Sequence, residues 1–407
     1  MITVQEATQI ILSNTMPLKA ESIPLQDATG RILQENLTTD RDMPPFDRVT
    51  MDGIAIDYAA FKNGQRSFKI ESIGAAGAPQ TTLYDPKNCI EIMTGAMLPL
   101  QADTVIRYED VEIENGVATI QINNIRHRQN VHFKGIDRKK HTIVATSGVR
   151  ISPAEIGVAA SVGKANLLVS ALPKVQIIST GDELIEVSET PLPHQIRTSN
   201  VYTIQAALEQ WGIGADRLHL LDDKAQLRTK LAESIRDYDV LILSGGVSKG
   251  KFDFIPEILD ELGVKKHFHR IRQRPGKPFW FGRTADTFVF ALPGNPVSSF
   301  MCLHRYFRTW LEASLAIKPV PKPRFALAAP IHFKPDLTYF VQVKLQYSPD
   351  DSRDRACPVP TVAMPIEGNG SGDFANLVSA DGFLELERGK EVYEAGEVYD
   401  FLGWRMT

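Results

Sequence analysis

Residues 174–183 read Lys174-Val175-Gln176-Ile177-Ile178-Ser179-Thr180-Gly181-Asp182-Glu183. A short, mostly apolar run that ends in a glycine and two carboxylates reads as a buried strand running into a functional turn. Downstream, Ser199 or Asn200 is placed to cap a helix that reaches Trp211 and stops at Gly212. Ala215–Leu221 reads as a strand, and Asp222 or Asp223 as the cap of the next helix. Asp239–Ser244 is a third strand, and Ile255–Leu262 a helix closed by Gly263. Phe279–Gly282 and Thr287–Leu292 pair around Thr284-Ala285-Asp286, and a long helix follows from Val297 to about Leu315. Strands alternating with helices over short connections predict a mostly parallel sheet covered on both faces.

Beyond this core the periodicity changes in both directions. Upstream, Thr3 with Glu6 and Ser152 with Glu155 form Thr/Ser-x-x-Glu boxes that open helices, the second with Pro153 at its first position and Gly163 past its end. Between them lies a β-rich stretch, in which Thr104–Ile113 and Val117–Ile122 flank the hairpin pair Asn115-Gly116. Arg41 to Gly53 reads as an ordered, acid-bearing loop. Downstream of the proline-rich 319–323, Phe340–Leu345, Thr361–Met364, Gly382–Glu387 and Val398–Leu402 read as strands of a small all-β module.

Length and composition fit this layout. A chain of 407 residues holds two to four domains, and 43% hydrophobic with 23% charged residues excludes wholesale disorder. A net charge of −4 gives no general pull toward nucleic acid or membrane. Cys89, Cys302 and Cys357 are too few and too widely spaced for a disulfide framework or a CxxC metal site. The N-terminus lacks the features of a signal peptide, and Ile156–Pro173 is broken by polar residues and glycines, so a soluble cytoplasmic protein is expected.

In an open α/β sheet, ligands bind beyond the carboxyl ends of the strands. Those ends carry Thr180, Gly181 and Glu183, then Asp222, then Ser244, Gly245, Gly246 and Ser248 with Asp253 beyond, and finally Pro293, Gly294, Asn295 and Pro296. Glycines admit a ligand to the backbone, and the carboxylates suit a divalent metal such as Mg²⁺. Arg270, Arg272, Arg274 and Lys277, around Pro275 and Gly276, can balance phosphate charge. Each piece has a bland explanation: an Asp that opens a helix is usually a cap, a Gly-Gly pair a turn, an Arg-rich strand a solvated face. Four such pieces at one sheet edge favour a phosphate-bearing ligand with a metal. Gly245 to Lys251 also fits a nucleotide phosphate loop, but Phe252 stands where that pattern needs Ser or Thr, so the match is false. His267 and His269, alternating on an expected strand, face one side without a third metal ligand. No Gly-x-Ser-x-Gly elbow is present.

Read in order, Pro45-Phe46-Asp47 with Met51-Asp52-Gly53, Met93-Thr94-Gly95-Ala96, Ala102-Asp103-Thr104-Val105, Ser179 to Leu184, Ser199-Asn200, Ser244 to Ser248, Pro275-Gly276-Lys277-Pro278 and Leu292 to Ser298 resemble the MoeA family of molybdopterin molybdenumtransferases, which includes the C-terminal domain of gephyrin. The resemblance implies a multidomain α/β fold: a molybdopterin-binding doubly wound α/β domain (171–320), a β-rich inserted domain (41–137), an elongated α+β dimerisation domain (1–40 with 138–170) and a small C-terminal β-barrel (321–407). It implies a homodimer with a site shared between subunits. The implied activity is Mg²⁺-dependent insertion of molybdenum from molybdate into adenylylated molybdopterin with release of AMP. Implied partners are these small molecules, the molybdopterin adenylyltransferase and recipient molybdoenzymes. Asp52, Thr94, Asp137, Glu183, Asp222 and Asp253 stand at the family's active-site positions, with Glu183 and Asp253 the expected metal ligands. Arg270 and Arg274 stand where the family carries basic residues, commonly lysine, and Ser371 retains a family serine.

Departures from the family pattern are Arg48-Val49-Thr50 before Met51, His132 and Ile136 in place of an Arg and a Glu, Leu337 and Gln342 in place of arginines, and Asp381 in place of an Asn. They leave two alternatives: a cofactor-binding or scaffold paralogue, or an insertase for tungstate.

Overall fold

The computed structural model describes residues 1–246, 254–346, 362–368 and 370–405. Val175–Thr180 is buried along its whole length and lies inside a six-stranded sheet. Its neighbours are Ala215–Leu220 on one side and Val240–Ser244 on the other, both parallel, and Phe288–Leu292 continues the parallel order. Trp280–Arg283 and then Lys265–His269 complete the sheet antiparallel. Side chains alternate along a strand, so Val175 and Ile177 enter one core with Val201 and Ile204, while Ile178 enters another with Leu227, Leu231 and Ile258. The two faces are covered by different helices, as a near-continuous apolar strand requires.

Several elements differ locally from expectation. The helix Ser199–Gln210 is preceded by Thr198, and neither Ser199 nor Asn200 is its cap; Asn200 bonds elsewhere. Asp223, not Asp222, caps Lys224–Asp237, accepting from the Gln226 N–H at 2.7 Å. A bulge between Lys266 and Phe268 breaks the alternation that would put His267 and His269 on one face, and the His267 ring stacks on Phe281.

The long C-terminal helix of this domain starts at Pro296 and runs to Ser314, with a π-helical turn over Leu303–Phe307. That turn buries His304 among Trp211, Phe300 and Trp404, with neither ring nitrogen hydrogen-bonded among the described residues. Burial, then the nearby Arg308 charge, pushes its pKa down to about 3. The folded value lies below the unfolded one of about 6.5, so His304 supports stability above that pH and erodes it as pH falls toward 3. The expected cost at pH 5 is about 2 kcal/mol. His304→Phe should remove it: between pH 7.5 and 5, the melting temperature of the variant should fall less than that of the wild type.

The N-terminal part leaves its own unit and returns to it. Ala20–Pro24 pairs antiparallel with Asn166–Ser170, and Leu37–Thr38 with Ile143–Ala145. Both expected capping boxes form, at Thr3 and Ser152. Between these pairs lies a second six-stranded sheet, ordered 104–107, 53–56, 88–92, 67–74, 117–120 and 111–114. The expected strand Thr104–Ile113 is two strands, divided by a 3₁₀ turn at Tyr108–Asp110 that moves the chain from one sheet edge to the other. The hairpin turn at Asn115-Gly116 forms with both residues at positive φ, as a type I′ turn requires.

The C-terminal module is a closed five-stranded barrel of Thr338–Gln346, Val362–Pro365, Arg324–Leu327, Val398–Gly403 and Gly382–Leu386. Arg324–Leu327 is a strand absent from the sequence reading. Gln273–Arg274 from the α/β domain adds to the barrel beside Thr338–Tyr339. Among the described residues no helix is long and apolar enough to cross a membrane.

Candidate active site

At the carboxyl edge of the parallel strands lies a cleft of about 270 Å³, lined among others by Thr180, Glu183, Ser244, Gly245, Gly294, Asn295 and Pro296. Asn200 ties two of its walls together: its Nδ2 donates to Ser244 Oγ at 2.9 Å and to the Gly294 carbonyl at 2.7 Å. Next to Gly245 of the lining, position 246 needs glycine. Its φ is +68°, and a Cβ there would sit 2.6 Å from Ile255 Cγ1 and 2.9 Å from Thr180 Oγ1. Thr180 Oγ1 is buried with no hydrogen-bond partner among the described residues. Gly181, also at positive φ, turns the chain so that Glu183 reaches the same cleft.

A second cleft of about 350 Å³ opens between the α/β domain and the barrel. Arg274, Pro275, Gly276 and Lys277 form one wall, Pro293 and Asn295 another, and Tyr339, Gln342 and Ser371 face them from the barrel side. Asn295 lines both clefts, and its Nδ2 donates to Ser371 Oγ at 2.8 Å. Among the described residues neither Arg274 nor Lys277 has a carboxylate within 4 Å, so two cations enter this cleft uncompensated. Leu337 and Gln342 line it as well, and Gln342 Oε1 is buried without a partner among the described residues. The barrel is held in place by a bidentate ion pair: Arg305 donates to Glu385 from Nε at 2.8 Å and from Nη2 at 3.2 Å, with both side chains largely buried.

The expected residues do not all gather here. Arg270 lines neither cleft; it is half-buried at a left-handed bend (φ +96°), where the N-terminal Ile2 N–H bonds its carbonyl. Asp222 also lies outside both linings, with its backbone N–H on Asp182 Oδ1 at 3.0 Å. Ser248 and Asp253 fall outside the described residues.

Asp52, Thr94 and Asp137 belong to the inserted segment. The Thr94 N–H donates to Asp52 Oδ1 at 2.6 Å, and this bond, then one from the Thr94 side chain, holds the exposed Asp52 carboxyl below the usual range. Asp137 pairs with His132 at 2.9 Å. His132 faces Arg48 across a short antiparallel ladder, so two departures from the family pattern share one rung. No hydrogen bond links Asp52, Thr94 or Asp137 to either cleft among the described residues.

Among the described residues no group of three His, Cys, Asp or Glu forms a metal cage. The cleft offers Glu183 and the unpaired Thr180 hydroxyl, hard oxygen donors that suit Mg²⁺ shared with a substrate phosphate. The sequence names Asn200 and His132 but does not assign them these contacts. Asn200 was read as a cap because Asn at a helix start usually is one, and His132 was read only as a lost Arg.

Comparison with known proteins covers this whole arrangement. Residues 2–163 match the family described as "MoeA N-terminal region (domain I and II)", 176–313 a "Probable molybdopterin binding domain" and 324–404 the "MoeA C-terminal region (domain IV)". A molybdopterin molybdenumtransferase of Synechocystis is 39% identical over 411 residues, covering 99% of this chain and 100% of its own. One from Bacillus subtilis is 30% identical, covering 98% and 94%. The crystal structure of a molybdopterin biosynthesis MoeA protein from Pyrococcus horikoshii superposes with a TM-score of 0.82 at 28% identity, over 99% of this chain and 100% of that one.

Proposed function

The chain belongs to the molybdopterin molybdenumtransferase family and serves molybdenum cofactor biosynthesis as a transferase, and on that premise we propose that it inserts molybdenum from molybdate into adenylylated molybdopterin, releasing AMP. The observation that supports this most is the pair of clefts meeting at Asn295. One is glycine-floored at a sheet edge, as a phosphoanhydride needs. The other presents two unpaired cations, as a tetrahedral dianion needs.

Thr180, Gly181, Ser244, Gly245, Gly246 and Ser248, with Pro293, Gly294, Asn295 and Pro296, hold the nucleotide-pterin. Arg274 and Lys277 hold molybdate, with Ser371 closing the cleft from the barrel. Asn295 keeps the two substrates in register. The dithiolene sulfurs replace oxide ligands, which leave as water after protonation, and cleavage of the anhydride frees AMP. Glu183 and Asp253 would hold Mg²⁺, and the bound ion would supply positive charge against the phosphates. Asp52, held ionised by Thr94, acts through its charge and by orienting water more than as a proton reservoir. In a homodimer Asp52, Thr94 and Asp137 would reach the cleft of the other subunit.

Purified protein given adenylylated molybdopterin, molybdate and Mg²⁺ should release AMP in proportion to active cofactor formed. Pterin binding without AMP release would instead make it the cofactor-binding paralogue. Equal turnover with tungstate would remove the preference for molybdate.

A further inference from the structure

The loop that presents Arg274 and Lys277 is tied down from beneath by a buried polar group. Gln273 is fully buried, and its Nε2 donates to the Gly276 carbonyl at 2.9 Å, bridging the loop three residues on. The same Nε2 lies 3.5 Å from Cys302 Sγ, on the long helix. On the other side, the Tyr306 hydroxyl bonds Gln273 Oε1. The carbonyl of Gly276 can only accept, so the amide must turn its NH₂ toward the loop and its oxygen toward Tyr306. Tyr306 must then donate, and burial, which raises its pKa well above the ordinary value, keeps it protonated to do so. The orientation of the amide is thereby determined by its partners alone.

The backbone of Gln273 is fixed as well. Gln273–Arg274 pairs with Thr338–Tyr339 of the barrel, and the Thr338 N–H bonds the Arg272 carbonyl at 3.0 Å. Helix, loop and barrel therefore meet at one side chain. The loop it braces carries two cations close together with no carboxylate to hold them among the described residues. Such a pair binds a small anion well only if its geometry is prepaid, because two flexible chains would otherwise lose their freedom on binding.

We propose that Gln273 is a positioning residue for oxyanion binding: through the Gly276 carbonyl, with Tyr306 as its anchor, it holds Arg274 and Lys277 in the arrangement that grips molybdate. This rests on the reading of the second cleft as the molybdate site.

The test is titration of the full chain with molybdate alone by calorimetry, comparing wild type, Gln273→Met, Gln273→Leu, Tyr306→Phe and the double variant Arg274→Ala/Lys277→Ala. Both Gln273 variants keep about the size of the side chain, and neither can donate. The expected result is a five- to tenfold weaker Kd in each, about the worth of one such bond, and a smaller loss in Tyr306→Phe. In the insertase assay KM for molybdate should rise with kcat at saturation little changed, a split that general destabilisation would not produce. If Gln273→Met does not fold, Gln273→Leu and Tyr306→Phe decide. A Kd within twofold of wild type in folded Gln273 variants, with Arg274→Ala/Lys277→Ala clearly weakened, overturns the positioning role and leaves the molybdate cleft standing. No weakening in the double variant overturns both.

Discussion

Replacing Glu385 by alanine is expected to destabilise the protein by about 3–5 kcal/mol, because it strands the Arg305 guanidinium in a dry interface. The arginine sits in the π-helical turn, only 7% exposed, and gives both its bonds to this one carboxylate. Lys322 stands 3.9 Å from the same carboxylate, so its removal would leave two cations side by side. Unfolding in urea should show the loss as an earlier transition, since the pair is one of the links that join barrel to α/β domain. Removing both charges with Arg305→Met and Glu385→Leu should recover most of the stability, because the pair's desolvation is then avoided. If the single variant loses less than about 1 kcal/mol, as an exposed pair would, the interface is wetter than described.

The largest loss of activity is expected at Asp52. Asparagine keeps the shape and can still accept the Thr94 N–H, so Asp52→Asn removes little but the charge. Turnover should fall about 10²- to 10⁴-fold, with the melting temperature close to that of the wild type, because the side chain is exposed. Glu183→Gln should fall similarly. Mixing the two inactive proteins gives the sharper result. If each cleft is completed by the inserted sheet of the other subunit, a hybrid dimer holds one site free of both substitutions. Random exchange should then restore about a quarter of wild-type activity. If both residues serve a cleft in their own chain, the mixture stays inactive.

How far the sequence speaks for itself depends on whether a signal is local. Val175–Thr180 declares itself because a strand buried on both faces must be apolar at nearly every position. The capping boxes at Thr3 and Ser152 are complete within four residues, so they too were legible. Arg324–Leu327 was not: it alternates weakly and follows a proline-rich stretch, and only closure of the barrel makes it a strand. Of the candidate site, the glycine-bearing strand ends are legible because a parallel sheet leaves its cleft at the carboxyl edge. Arg270 does not join Arg274 in the cleft lining, and proximity in sequence does not reveal the left-handed bend at which it sits. Asn200, His132 and Gln273 act through residues 44, 5 and 3 positions away. The first link is invisible to any local pattern, and the other two are carried by residue types with many commoner uses.

The pairing of Ala20–Pro24 with Asn166–Ser170 also bears on how the chain matures on the ribosome. The earlier strand emerges with no partner and, at 5–20 residues per second, waits roughly seven to thirty seconds for it. The whole inserted sheet, with apolar clusters of its own, is synthesised in that interval. The first unit in the chain is thus completed after the second, and during that wait its exposed edge is a natural client for a chaperone.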